Sequence, residues 1–143
     1  MQDILIRKAC EDDIDEIFSI ECEGLSLWKK KQFQEELDIS FSITIAAEIN
    51  GVISGFAVIW IVTDEIQLHN ISVRKNSRRS GIGEALIKYI SDMKKNDIKK
   101  ITIEVNENNT QALRFYEKNG FIRNTIRKKY YGDDSAILME LVL

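Results

Sequence analysis

HNISVRKNSRRSGIGEAL, residues 69–86, sets two adjacent arginines and the pair Gly81 and Gly83 directly in front of an apolar pattern of helical period. Main-chain N–H groups at the start of a helix have no intrahelical acceptor, and the helix dipole adds positive character there, so the stretch reads as an anion-binding loop. Two closely spaced glycines let that backbone approach a ligand. The spacing Arg78-x-x-Gly81-x-Gly83 is neither the Walker A loop, with its Gly-Lys-Ser/Thr ending, nor the dinucleotide fingerprint with a third glycine, which argues against ATP and NAD. Gly-x-Gly before a helix is also what a plain tight turn looks like, so the flanking elements decide.

Upstream, IQLHNISV is a strand whose apolar positions, Ile66 and Leu68 and then Ile71 and Val73, slip by one residue near His69 and Asn70. Such a slip predicts a β-bulge, a device that re-aims a strand beside a site. Downstream, Ile82, Ala85, Leu86, Tyr89, Ile90 and Met93 give an amphipathic helix. KKITIEV then alternates Ile101, Ile103 and Val105 against Thr102 and Glu104, and NNTQALRFYEKNG supplies Asn caps, a helix and Gly120 as a stop. Strand, helix, strand, helix implies a partly parallel sheet.

Further out, ILIRKA opens as a strand and EDDIDEIFSIECE follows as a helix with Ile14, Ile17, Phe18 and Glu21 at helical spacing. WKKKQFQEEL is a second helical pattern pointed by Trp28, Phe33 and Leu37. SITIAAEI and VISGFAVIWIV read as two strands paired antiparallel through Asn50-Gly51, a strong hairpin signal. FIRNTIRKK and SAILMELV, separated by YYGDD, close the chain as another hairpin. The expectation is one α/β domain over residues 1–143, with a mixed, twisted sheet of about six or seven strands, helices on both faces and a bulged central strand.

The 143 residues are 44% hydrophobic and 30% charged, with seven Gly and no Pro, as in an ordinary folded domain. A net charge of −3 argues against broad binding to a phosphate backbone, so nucleic acid is not an expected partner. Cys10 and Cys22 match no zinc spacing and are expected as reduced, small core residues, with no metal site. The apolar run FAVIWIV falls far below the roughly 20 residues that span a bilayer, so a cytoplasmic protein without a membrane partner is expected.

HNISVRKNSRRSGIGEAL and IEVNENNTQALRFYEKNGF together resemble the Gcn5-related N-acetyltransferase superfamily, whose acetyl-coenzyme A loop reads Arg/Gln-x-x-Gly-x-Gly/Ala after the central strand. Within it, FYEKNGF and the tail RKKYYGDDSAILMEL are similar to the ribosomal-protein-alanine N-acetyltransferases. The resemblance covers nearly the whole chain. It implies acetyl-coenzyme A as cosubstrate, with the amides of Arg78, Arg79, Ser80, Gly81, Ile82, Gly83 and Glu84 around the pyrophosphate. Ile71, Ser72 and Val73 would offer main-chain groups to the pantetheine and acetyl moieties, and Asn109 a hydrogen bond. The chain departs from the family pattern at Glu84, expected to point away from the phosphates, and at His69, where an aliphatic residue is usual.

Acyl transfer from a thioester to an amine needs a base for the amine and a proton for the departing sulfur. The resemblance implies Glu104 as general base through water and Tyr116 as the donor to sulfur; a surface acid and a core aromatic are the plain alternatives. His69, which titrates near neutrality, is the rival base. Trp28, Tyr130 and Tyr131 suggest a groove for a peptide N-terminus with Glu35 or Glu36 near its ammonium, although aromatic pairs and charged helix faces are more often packing and solvation. The expected acceptor is a protein N-terminus with a small first residue such as Ala or Ser. A small amine or lysine side chain is the enzyme rival, and a non-catalytic acyl-coenzyme A sensor the rival of another class. Oligomeric state is not legible in the sequence.

Overall fold

The computed structural model describes residues 3–24, 28–93, 97–132 and 134–143, the side chains of 129–131 apart. Seven strands hydrogen-bond in the order β1-β2-β3-β4-β5-β7-β6, a mixed sheet of the expected class. They are β1 (Ile4–Lys8), β2 (Ser42–Ile49), β3 (Val52–Val62), β4 (Glu65–Val73), β5 (Lys100–Asn106), β6 (Ile122–Tyr131) and β7 (Asp134–Val142); the helices are α1 (Ile14–Glu21), α2 (Lys30–Glu36), α3 (Ile82–Asp92) and α4 (Thr110–Lys118). Residues cluster into two compact units, 1–61 with 68–93, and 62–67 with 94–143.

In the first unit, β1 and β3 flank β2 antiparallel, and Asn50 and Gly51 turn the β2–β3 hairpin at φ 53° and 79°. Both values lie in the left-handed region that the Asn-Gly pair tolerates. Ile53 to Ile59 are all buried, because β3 is covered on both faces. On one face, Ile14, Ile17, Ile20, Phe33, Ala46, Phe56 and Val58 form a core beneath α1 and α2, with Trp28 packed against it. On the other, a Cβ on Gly55 would come 2.7 Å from Ile82 Cγ2 and 3.2 Å from the Ser72 carbonyl, so α3 lies directly on the strand there. The buried side of α3 is Ile82, Gly83, Leu86, Ile87 and Ile90. Ile87 joins it in place of the expected Ala85 and Tyr89, which are half-buried.

Arg7 ties β1 to the start of α1. Its guanidinium donates to Asp13 through Nη1 at 2.7 Å and Nη2 at 3.0 Å, and Nε binds Glu48. The hydrogen bond from Arg7 pulls the Asp13 carboxyl down to about 2. Cys10 and Cys22 are exposed, against expectation. They cap the short turn before α1 and the end of α1, where side chains project outward.

In the second unit, Glu65, Ile66 and Gln67 of β4 pair parallel with Lys100, Ile101 and Thr102 of β5. β7 pairs antiparallel with both β5 and β6. Ile101, Thr102 and Val105 are all buried, so the alternation expected of β5 is blurred by cover on both faces. Asn109 caps α4 by accepting from the Ala112 N–H at 3.2 Å, and Gly120 at φ +94° follows its end. Among the described residues no helix is long and apolar enough to cross a membrane.

Candidate active site

The main chain of the first unit turns sharply ahead of α3. After the short turn Lys75–Ser77, Arg79 adopts φ 65° and Gly81 φ 87°, and Gly81 is the left-handed N-cap of α3 with no side-chain cap. No described hydrogen bond is donated by the main-chain N–H groups of residues 79–84, while the Gly81 carbonyl accepts from the Ala85 N–H at 2.9 Å. Helix starts leave such donors without partners. Nothing lies within 4 Å of a Cβ built on Gly81. Uncapped donors at an open helix start suit a diphosphate, and Arg78, Arg79, Ser80 and Glu84 are exposed around them.

Acidic side chains on α1 and just past its end hold the approach to this loop. The Arg74 main-chain N–H donates to the Ser54 carbonyl at 2.8 Å, where the β2–β3 register breaks between the pairs Ala47↔Gly55 and Glu48↔Ile53. The Arg74 guanidinium reaches Glu16 at 3.1 Å and Glu23 at 3.4 Å, and Glu23 Oε1 also accepts from the Lys75 N–H at 2.8 Å. Arg78 Nε donates to the Val73 carbonyl at 3.4 Å, and the Ser80 hydroxyl donates to the Ser77 carbonyl. Ile71, Ser72 and Val73 are half-buried.

His69 and Asn70 are consecutive, yet both turn to the side of α1 and α2. The His69 ring stacks on Trp60 at 4.1 Å, and the Trp60 indole N–H donates to Glu36 of α2 at 2.7 Å; Asn70 Nδ2 donates to Glu21 of α1 at 3.1 Å. Strict alternation would send the two side chains to opposite faces, so this is the local signature of the slip read in the sequence. His69 is thus an exposed ring on an aromatic partner. Glu36 is buried and also accepts from the Ser42 hydroxyl at 2.7 Å, which gives it a packing role beyond its place on a helix face. Glu35 remains exposed. Trp28 packs on Phe33 at 5.1 Å. Tyr130 and Tyr131 belong to β6, and their side chains lie outside the described residues.

The second unit holds the acid and the phenol. Glu104 of β5 pairs with Leu138 across β7, and its Oε1 lies 2.9 Å from Arg127 Nη2 on β6, the strand beyond. The sequence reading missed this partner, because a cation two strands away carries no local signal. Tyr116 of α4 is 5% exposed, between Phe115 and Phe121 at ring distances of 5.3 and 5.4 Å. Burial pushes its phenol well above the ordinary value, so the ring carries its proton throughout the physiological range. Asn109 commits Oδ1 to capping α4, which leaves Nδ2 as its other polar group. Among the described residues no cluster of His, Cys, Asp and Glu is arranged to hold a metal ion.

The family model described as Acetyltransferase (GNAT) family matches residues 10–121. Over 122 residues the chain is 35% identical to the [ribosomal protein bS18]-alanine N-acetyltransferase of Escherichia coli (strain K12), a match that covers 80% of each chain. It is 31% identical over 122 residues to the Salmonella typhimurium protein of the same name, again over 80% of each. Among solved structures, the crystal structure of the ribosomal-protein-S18-alanine N-acetyltransferase from Escherichia coli superposes with a TM-score of 0.87 at 29% identity, covering 98% of this chain and 94% of that one.

Proposed function

The chain belongs to the acetyltransferase (GNAT) family and is an acetyl-coenzyme A-dependent N-acetyltransferase, and from that premise we propose that it acetylates the α-amine of a protein N-terminus whose first residue is small, Ala or Ser. A ribosomal protein is the first candidate. The observation that carries this reading is the match over 80% of the chain to relatives whose names specify an alanine acceptor on ribosomal protein bS18.

In this reading the main-chain N–H groups from Arg78 to Glu84 bind the pyrophosphate, those of residues 79–84 having no partner of their own among the described residues and that of Arg78 turning from the Lys75 carbonyl at 3.4 Å, helped by the left-handed Gly81. The main chain of Ile71, Ser72 and Val73 aligns the pantetheine and the thioester, and Asn109 adds a hydrogen bond through Nδ2. Glu104 takes, through water, the proton that the amine gives up as its nitrogen bonds to the acetyl carbon. Tyr116 supplies a proton to the sulfur as the C–S bond breaks, a role that its protonated state allows. Trp28, Tyr130 and Tyr131 remain the candidates for gripping the acceptor chain. An α-amine, with a pKa of about 8, is partly neutral at physiological pH, whereas a lysine near 10.4 is almost wholly charged, so a carboxylate base suits the first.

The test offers a peptide with a free Ala terminus and an internal lysine, then the same peptide with its terminus blocked. Mass spectrometry is expected to find acetyl on the α-amine of the first and none on the second. Acetylation of the blocked peptide with none at the free α-amine would move the acceptor to lysine.

A further inference from the structure

Glu21 ends α1 at 2% exposure, the most deeply buried acid among the described residues. Its Oε1 accepts from Asn70 Nδ2 at 3.1 Å, and its Oε2 is buried with no hydrogen-bond partner. No cation pairs with it among the described residues. A buried carboxylate with an unmatched oxygen lowers stability. A glutamine would accept the same hydrogen bond without the charge, so stability alone gives no reason for an acid at this position.

A carboxylate differs from an amide in being an acceptor only. Facing Glu21, Asn70 has one permitted orientation, with Nδ2 toward α1 and Oδ1 turned away from it. A glutamine at position 21 could face either end of the Asn70 amide, so the orientation would no longer be fixed. Asn70 directly precedes Ile71, and it leaves the strand on the same side as its neighbour His69. The local slip therefore presents an oriented amide oxygen one residue before the main chain proposed to align the thioester.

We infer that Asn70 Oδ1, held in orientation by Glu21, accepts a hydrogen bond from the primary amine undergoing acetylation. Asn70 contacts the substrate, and Glu21 is a positioning residue that acts through it. A hydrogen bond to one N–H of the amine fixes where its lone pair points while another proton is removed. The inference rests on the proposed placement of the thioester along Ile71 to Val73. It does not depend on whether the amine is an N-terminus or a lysine.

The experiment uses the full chain with acetyl-coenzyme A and whichever of three probes it acetylates fastest: a free Ala-terminal peptide, a blocked lysine peptide or propylamine. Asn70→Leu should lower kcat/KM for the amine about tenfold or more and leave acetyl-coenzyme A affinity within about twofold. Glu21→Gln should give a smaller loss of kcat/KM with a melting temperature equal to or above the parent's, which a merely structural residue would not show. Asn70→Asp opposes two carboxylates and should be impaired. Adding Glu21→Gln restores a donor and an acceptor with reversed polarity, and should bring kcat/KM back to within about threefold of the parent. Parent-level kcat/KM in Asn70→Leu, or a double variant no better than Asn70→Asp alone, would overturn the inference. A preference for the lysine probe would refute the N-terminal acceptor while leaving this test intact.

Discussion

The loop over residues 79–84 offers main-chain donors, whereas β5 and α4 offer two side chains, Glu104 and Tyr116. The loop depends on φ angles that Gly81 adopts freely and on a helix start that leaves its own N–H groups unpaired. All of that is local in the chain, so a few letters announce it. Glu104 and Tyr116 depend on what surrounds them: Arg127, two strands away on β6, for the acid, and Phe115 and Phe121, brought together at the end of α4, for the phenol. The turn of the loop is legible in the letters that make it; the packing around the two side chains is not.

The largest expected effect tests the side-chain half. Glu104→Gln and Tyr116→Phe should each lower kcat by about 10²- to 10⁴-fold with little change in acetyl-coenzyme A affinity. Steady-state kinetics beside calorimetry checks this, and parent turnover in both variants would remove the acid-base assignment. Gly81→Val acts on the backbone half. Open space around its Cβ excludes a clash with the protein, so the cost is the left-handed conformation, about 1–3 kcal/mol. Calorimetry should find acetyl-coenzyme A binding weakened about tenfold or more. Unchanged affinity in the folded variant would take the loop out of the site.

An ion pair outside both halves sharpens the contrast, because it should affect stability alone. Asp13→Asn is expected to cost about 1–3 kcal/mol at neutral pH with kcat unchanged. The folded carboxyl is held at about 2, below its ordinary value of 3.8, so the contribution is complete above that ordinary value and disappears as pH falls through about 2. Urea midpoints for parent and variant should converge between about pH 4 and 2, and a constant gap would place the stabilisation elsewhere. The smallest effect belongs to Arg127→Gln. Its side chain is 59% exposed, and such a pair is worth under about 1 kcal/mol, so kcat should change less than about fivefold. A loss as large as that of Glu104→Gln would mean that Arg127 itself touches the reaction.

The β2–β3 hairpin was legible because Asn50-Gly51 carries its turn chemistry in two letters, and α3 because its apolar period is unbroken. The slip at His69 and Asn70 was legible as a pattern, yet its partners were not: Glu21 and Trp60 meet the strand only after α1 and β3 are packed. Glu36 looked like any acid on a charged helix, and only the approach of Trp60 and Ser42 makes it a buried acceptor. Cys10 and Cys22 were misread for a related reason. Residue type suggests burial, but their positions at the ends of short helical segments turn them outward.

Gly55 sits mid-strand in the core and carries no chemical role of its own, yet a Cβ added to it would stand 2.7 Å from Cγ2 of Ile82, the first residue of α3. A methyl group there would push on the residue between Gly81 and Gly83. Under selection, position 55 should therefore behave as though it belonged to the loop, and it should change only together with position 82. A library randomised at both sites and sorted for acetylation should return either the parental pair or a larger residue at 55 matched by a smaller one at 82. Independent variation of the two positions would show that the start of α3 can shift without consequence for activity.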